Sequence, residues 1–586
     1  MTCLCMAQSG APGLHWHVAH LGWWAVAIVA VLAMTGLLRA GLVRLMHGPR
    51  RPWLSFGRRV RLRMRPGPGW AGRWQVWRAH GLPAARKVAR HARPSLSGPG
   101  RRLGPWREYA TFVGWAQGWV IRRRVYAHLE SLILMIAAPQ EGKSQAAAGQ
   151  VIDAPGPAVA TSIREDLIRA TAALRAGRGR VHIWNPEHAG AYGSTFSWDL
   201  VPGCQDIAVA AVRRAGPMVE AVTARGLDSE AFWNDQASMV LAALLHAAAL
   251  AGGDIWHVHA WAGGEDDTPL RILAAHPGAS RAARDHMGLY LSLSDKTRQG
   301  IATTLARVLK FLQLPACAQA VITADGRPGF DFAGFVTSRD TLYLVAADAA
   351  TSPVTPLFAA IIAELAHAAR QAGGASAAGR LDPPLTAVLD EVANIAPVPV
   401  AQWASWAAGS GLRLSLIAQS YAQLKQRWGE EGAAVIWQCC KTKVIYGATS
   451  EDELCAMVER ACGTVRLRTA ERGIGRIRRG HEEVPLLPAG ALRMLPAGRA
   501  VVIQGRAAPV IVRVEQVRRR ADYKRQQARS LPTVPPAVGA RQVPALLPGS
   551  GALPPAASQA PPDELTTRRD PKTAGHISEQ IEGAGR

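Results

Sequence analysis

The sequence predicts an α/β domain built on a buried parallel sheet. An all-helical insertion interrupts it, one transmembrane helix precedes it and a disordered tail follows. Three observations lead there. Short apolar runs of β type alternate with longer helical stretches between residues 129 and 515. An uncharged run of 18 residues, Leu21 to Leu38, lies near the N-terminus. Residues 521–586 hold ten prolines and a single aromatic, Tyr523. At 586 residues the chain has room for two to four domains of roughly 150 residues each.

Composition narrows the class. Hydrophobic residues make up 48% and charged residues 19%, enough for a sizeable core. The net charge of +25 is unevenly spread. No acidic residue precedes Glu108, whereas Arg39 to Arg107 hold 18 arginines and lysines. The tail carries 8 basic and 6 acidic residues, which leaves only +5 for residues 108–520. An ordinary globular body with a basic leader excludes a uniformly basic DNA-coating protein and a disordered chain. Eight cysteines are too few for a disulfide scaffold. Cys3 and Cys5, Cys439 and Cys440, and Cys455 and Cys462 lack zinc-ligand spacing, so they read as reduced thiols of a cytosol-facing body.

As a helix, Leu21 to Leu38 spans about 27 Å, close to the hydrocarbon thickness of a bilayer. Trp23 and Trp24 suit the outer interface, and Arg39, Arg44, Arg50 and Arg51 follow at once with no Lys or Arg before them. The positive-inside rule then puts the N-terminus outside and the rest in the cytosol, a single-pass protein of the cell membrane. A cleaved signal peptide fits worse, for lack of a basic n-region and a small-x-small cleavage site. Residues 39–107 are rich in Arg, Trp, Gly and Pro, and the run RRVRLRMRPGPGW has a brief period-2 pattern but little to bury. Next to the span they would be drawn to anionic headgroups by about 1 kcal/mol per basic residue, in preference to nucleic-acid phosphates.

Seven strands are expected: Leu132–Ala137, Ala158–Thr161, Val181–Trp184, Thr341–Ala346, Thr386–Leu389, Leu412–Ile417 and Lys443–Tyr446. Continuous apolar runs of this kind suit parallel strands buried on both faces. Between the third and fourth, FWNDQASMVLAALLHAAALAG and DKTRQGIATTLARVLKFLQL read as helices of an inserted domain. AVVIQGRAAPVIVRV, residues 500–514, reads as a β-hairpin. The expected partition is an anchor at 1–40, a basic juxtamembrane segment at 41–107, a nucleotide-binding domain at 108–204 and 321–520, the all-α insertion at 205–320, and the tail at 521–586.

The chemistry concentrates in LILMIAAPQEGKSQ, a strand running into a loop and a helix. This is the setting of a P-loop, with Ala137, Ala138, Pro139, Gln140, Glu141, Gly142, Lys143, Ser144 and Gln145 as nucleotide-binding residues. Backbone N–H groups at the helix start cradle phosphate, Lys143 reaches the β/γ phosphates and Ser144 takes Mg²⁺. Ala137 replaces the first glycine of the motif, and Glu141 places a carboxylate beside Gly142. In LTAVLDEVAN, apolar strand residues precede Asp390, a second Mg²⁺ ligand, and Glu391, the general base. The strand of LRLSLIAQSYAQL ends at Gln419, placed to sense the γ-phosphate and orient water. Arg413, Arg298 and Arg427 are equal candidates for a cation acting on a neighbouring subunit's site, although a salt bridge explains each one better.

The ordered set TSIREDLI, GRVHIWNPE, STFSWDLVP, FWNDQASMVLAALLHAAAL, DTLYLVA, LDEVANI, GLRLSLIAQSYAQL and TKVIYGATSEDEL resembles the TraG/TraD coupling proteins of type IV secretion and conjugation, in their high-GC Gram-positive form. The resemblance runs over residues 129–515. It implies a membrane-anchored, RecA-like P-loop NTPase that forms a homohexamer. Such a protein uses ATP and Mg²⁺ to move DNA, single-stranded with an attached relaxase, or protein cargo to the proteins of a secretion channel. The helical insertion would help recognise cargo. By motif, Gly142, Lys143 and Ser144 match the P-loop, Asp390 and Glu391 the LDE, and Gln419 the glutamine after the next strand. Many members carry two spans, but here Tyr109–Ile121 is only 13 residues long, so one span is expected. Two alternatives remain: an FtsK-like double-stranded DNA pump, and a P-loop receptor that docks substrate without pumping.

Overall fold

The computed structural model describes Met34 and residues 69–96, 98–117, 123–223, 228–322, 329–348, 352–473 and 476–528. The expected membrane span, apart from Met34, and the tail beyond residue 528 lie outside the described residues. No helix among the described residues is long and apolar enough to cross a membrane.

An eleven-stranded sheet organises the body. In chain order its strands are β1 (Ala110–Ala116), β2 (Arg124–His128), β3 (Ile133–Ile136), β4 (Ala158–Ser162), β5 (Val181–Trp184), β6 (Thr341–Val345), β7 (Leu385–Leu389), β8 (Leu412–Ala418), β9 (Thr442–Tyr446), β12 (Arg499–Gln504) and β13 (Val510–Arg513). The two remaining strands, β10 (Thr464–Gly473) and β11 (Arg476–Pro485), pair only with each other. The spatial order is β2-β1-β13-β12-β9-β3-β8-β7-β4-β6-β5. From β9 to β5 every pair is parallel, and from β9 outward through β12, β13, β1 and β2 every pair is antiparallel. All seven expected strands are present, within one or two residues at their ends. Every residue of β3, β4, β6, β7 and β8 is buried, as continuous apolar runs in a two-sided parallel sheet require. The hairpin read at 500–514 is β12–β13.

Between β5 and β6 the chain is mostly helical. Its longest helix, Asp228–Leu250, buries Val240 to Ala249 without a break. A helix apolar all round can lie only at the centre of a bundle, which is why this run needs the helices around it.

The segment before β1 differs from expectation. This basic segment was expected to meet lipid headgroups, and among its described residues from 69 to 107 several are buried against the sheet. They form α1 (Arg73–Ala79) and α2 (Leu82–Ala92) and a short helix, Gly98–Leu103. Ala85, Ala89 and Ala92 recur at helical spacing on α2 and pack against Tyr109, Ala110, Tyr126 and Leu129. Arg93 is buried, pairing with Asp382 (2.5 Å) and Glu108 (2.6 Å). Burial holds His80 below the usual histidine range, and its ring bonds the β12–β13 hairpin at Gln504 Oε1 (3.0 Å) and Ala508 O (2.9 Å). Small alanines between many arginines hid this stripe, and Asp382 lies 289 residues from its partner.

Tyr109–Ile121, too short for a span, holds β1. The expected tail also begins later than residue 521. Residues Ala521–Ala528 are helical, Tyr523 packs on the core and Arg520 bonds both Asp153 (2.7 Å) and Asp522 (2.7 Å).

Candidate nucleotide site

The P-loop leaves the centre of the sheet. After Ile136 the chain turns through residues 137–142 into α3 (Lys143–Asp153). Two residues take left-handed backbone there, Gln140 at φ 67° and Gly142 at φ 95°. Gly142 is the N-cap of α3, and a Cβ on it would meet no atom within 4 Å. Its requirement for glycine is therefore conformational, and the space in front of the helix start is open. Lys143 and Ser144 occupy the first turn, with Ser144 exposed.

β8 separates β3 from β7, and its register aligns the site. Leu416 pairs with both Leu134 and Leu389, and Ala418 pairs with Ile136. Asp390 and Glu391 therefore leave β7 level with the end of β3, and Gln419 leaves β8 level with Ala137. The three motifs meet at the carboxyl edge of a parallel sheet, where ligands of open α/β folds bind.

Glu391 is the hub. It is 2% exposed and takes left-handed backbone at φ 51°, a strained conformation for a non-glycine residue. Its Oε1 accepts from Lys143 Nζ and from Gln419 Nε2 (2.7 Å), and its Oε2 accepts from Asn394 Nδ2 (3.3 Å). Asp390 lies beside it, 7% exposed. Its Oδ1 accepts from the Glu391 N–H (3.0 Å), and its carbonyl accepts from Thr161 Oγ1 (2.8 Å) on β4. Burial pushes the Asp390 carboxyl up to about 6, with Lys143 opposing the shift and Glu391 adding to it. Asn394 and Thr161 were not singled out in the sequence. Asn394 had a local signal, three residues after Glu391 on the turn that follows, whereas Thr161 depends on strand order.

Glu141 is half-buried, with Oε2 shielded from solvent and without a hydrogen-bond partner, as is Oε1 of Gln145. Both belong to the loop and first turn that face the open space. The residues fit a nucleotide with Mg²⁺. An exposed Ser144 hydroxyl and the Asp390 carboxyl are hard oxygen donors, Lys143 is a cation at the helix start, and acceptors there still lack partners. No group of three or more His, Cys, Asp or Glu that could hold a metal occurs among the described residues. A site of this kind would draw its remaining ligands from phosphate and water.

Two of the candidate arginines are committed inside the body. Arg413 is buried at the far end of β8 from Gln419, with burial lowering it to about 10. Arg427 donates to Ala393 O (2.8 Å) and Thr223 O (3.3 Å). Arg298 lies in the helical insertion, bound to Leu291 O (3.1 Å), Leu293 O (3.2 Å) and Asp295 (2.5 Å).

The mixed sheet, with its loop entering a helix at the carboxyl edge of the parallel strands, has the architecture of a P-loop nucleotide-binding fold. Residues 384–497 match the family described as "TraM recognition site of TraD and TraG". The chain carries Asp390, Glu391 and Gln419 within that match. Among solved structures it is similar to the unbound bacterial conjugative coupling protein TrwB, at 16% identity, a TM-score of 0.51, and coverage of 69% of this chain and 88% of that one. TrwB in complex with a non-hydrolysable ATP analogue matches at 16% identity and a TM-score of 0.47, covering 66% and 86% of the two chains. VirB4 of Thermoanaerobacter pseudethanolicus matches at 11% identity and a TM-score of 0.39, covering 69% and 96%. No curated protein matches the sequence.

Proposed function

We propose that the chain is an ATP-driven coupling protein, a membrane-anchored homohexamer that delivers DNA or nucleoprotein cargo to a conjugation or type IV secretion channel. The observation that carries this reading is the convergence of Lys143, Gln419 and Asn394 on Glu391 at the mouth of the P-loop. Its membrane anchoring rests on the Leu21–Leu38 run and the arginines after it.

ATP is the substrate and supplies the γ-phosphoryl group, while Mg²⁺ neutralises its charge. The loop N–H groups and Lys143 would bind phosphate, and Ser144 and Asp390 would hold the metal. Without nucleotide, Lys143 Nζ occupies Glu391 Oε1, the oxygen that would face the attacking water. When Lys143 moves to phosphate, Glu391 keeps its hydrogen bonds from Gln419 and Asn394. Those two amides hold the carboxylate in place while it takes a proton from the attacking water. Hydrolysis is thereby restricted to the bound state.

The test is ATP hydrolysis by the full chain in an uncharged detergent, with and without DNA. Stimulation by DNA supports a motor. Hydrolysis indifferent to DNA, or none at all, overturns that reading in favour of a docking receptor. Preference for double-stranded over single-stranded DNA would favour the FtsK-like pump.

A further inference from the structure

Three tryptophans are exposed among the described residues, and two of them share the seven-residue helix α1: Trp74 at 64% and Trp77 at 40%. Their rings stack with centroids 4.7 Å apart. Successive residues of a helix turn by about 100°, so Arg73, Trp77, Trp74 and Arg78 follow one another around an arc of about 140°. Val76, the buried residue of α1, lies outside that arc and joins the apolar cluster of Val113, Val125 and Val512 on the sheet. The two tryptophans thus form an outward ridge with an exposed arginine on each side. The body holds this ridge from both ends. Before α1, the Ala71 N–H donates to Pro509 O (3.0 Å). After it, the His80 ring is fixed on Gln504 and Ala508, and the His80 carbonyl accepts the Tyr126 N–H (2.9 Å). A helix clamped in this way presents its tryptophans to the outside as a rigid surface.

We infer that the Trp74–Trp77 ridge is the face by which the body rests on an anionic lipid bilayer. An indole has an apolar ring and one N–H, which suits it to the headgroup level of a bilayer. The flanking Arg73 and Arg78 are long enough to keep their charges among lipid phosphates while the rings sit deeper. The course of the chain argues for lipid as the occupant. Only residues 39–72 separate the expected span from α1, and they include nine arginines and no acidic residue. A tether of that length keeps the ridge at a high effective concentration beside the bilayer, so two rings and two charges suffice to dock it. Single-stranded nucleic acid is a weaker fit, because a base-stacking platform needs open ring faces and these two rings turn one face toward each other. The inference rests on the proposed membrane anchoring and says which surface then meets the lipid. Since α1 is fixed to the β12–β13 hairpin and to β2, the antiparallel side of the sheet is the side that faces the bilayer.

The test uses the full chain in vesicles of phosphatidylcholine and phosphatidylglycerol whose acyl chains are brominated, since bromine quenches tryptophan fluorescence only at close range. The variant W74Q/W77Q should lose less fluorescence to brominated lipid than wild type, by the share of two tryptophans among 19. W256Q removes the third exposed tryptophan, on the helix Ile255–Trp261 of the insertion, and should leave the absolute loss unchanged. R73Q/R78Q should reduce the extra loss that phosphatidylglycerol produces over phosphatidylcholine alone. All three variants should melt close to wild type, because the replaced side chains are exposed. Equal losses in wild type and W74Q/W77Q overturn the inference. Two further measurements name the other occupants if that happens. Quenching by single-stranded DNA that disappears in W74Q/W77Q assigns the ridge to nucleic acid, and an oligomer in uncharged detergent that the variant dissociates assigns it to a second copy of the chain. Extraction of the wild type from membranes by alkaline carbonate would overturn the anchoring by itself. The ridge would then be judged by whether W74Q/W77Q still lowers the quenching of chain added to the same vesicles from outside.

Discussion

Lys143 and Glu391 pair with one another in the structure, and the proposed mechanism gives them separate tasks. Lys143→Ala should weaken ATP binding and abolish turnover, because the ammonium binds phosphate in the ground state and in the transition state. Glu391→Gln should bind ATP with near-normal affinity and lose about 10²–10⁴ in turnover, the usual worth of a positioned base. Equilibrium binding of a fluorescent ATP analogue beside steady-state hydrolysis separates the two. Equal loss of binding in both variants would show Glu391 to be structural. Asn394→Ala and Gln419→Ala remove only the amides that orient Glu391. They should lower turnover by less than Glu391→Gln does, with ATP binding kept. Asp522 offers a pH test away from the site. Its salt bridge with Arg520 holds its carboxyl down to about 2, overcoming burial. A depressed folded value contributes stability that is present above the unfolded value of about 3.9 and lost as the pH falls toward 2. Half-exposed to solvent screening, the contribution is on the order of 1–2 kcal/mol. Unfolding midpoints between pH 5 and pH 2 should show it in the wild type, and Asp522→Asn should remove that share of the slope.

At the scale of elements, the packing of α2 on the sheet depends on a buried cation. Arg93 is 3% exposed and is neutralised from two directions, by Glu108 close in sequence and by Asp382 across the fold. Asp382 also accepts the Ser95 N–H (2.7 Å), so one carboxylate fixes both the end of α2 and the turn after it. Asp382→Ala would leave Arg93 half-neutralised in a site that excludes water. Breaking a buried pair in this way typically costs about 3–5 kcal/mol. Urea denaturation should show that loss, while Arg271→Ala, whose partner Asp267 is equally exposed, should change stability by less than about 1 kcal/mol. A small effect of Asp382→Ala would mean that residues 69–107 dock weakly and that the sheet does not depend on them.

For the whole molecule, a cation supplied by a neighbouring subunit of the proposed ring would make hydrolysis depend on assembly. Specific activity should rise with protein concentration, and a flat dilution series would count against a ring. Glu391→Gln should then poison rings mixed with wild type beyond its share of the subunits. Deleting residues 530–586 should leave melting temperature and hydrolysis nearly unchanged, since a segment of that composition cannot offset the entropy of ordering. The parallel sheet and the nucleotide site were legible in the sequence for a local reason. Strands buried on both faces appear as unbroken apolar runs, and β3, β7 and β8 each end in the residues that carry chemistry: the loop to Lys143, Asp390 with Glu391, and Gln419. Other features required the fold. Strand order alone puts β8 between β3 and β7, and so brings Gln419 and Lys143, 276 positions apart in the sequence, onto one carboxylate. The leader's arginines read as contacts for a membrane surface, and only the fold, through Asp382 and the alanine stripe of α2, shows where Arg93 goes. Patterns set by backbone periodicity within one segment are written in that segment, whereas partners separated by long stretches of chain meet only through the packing that closes the loop between them.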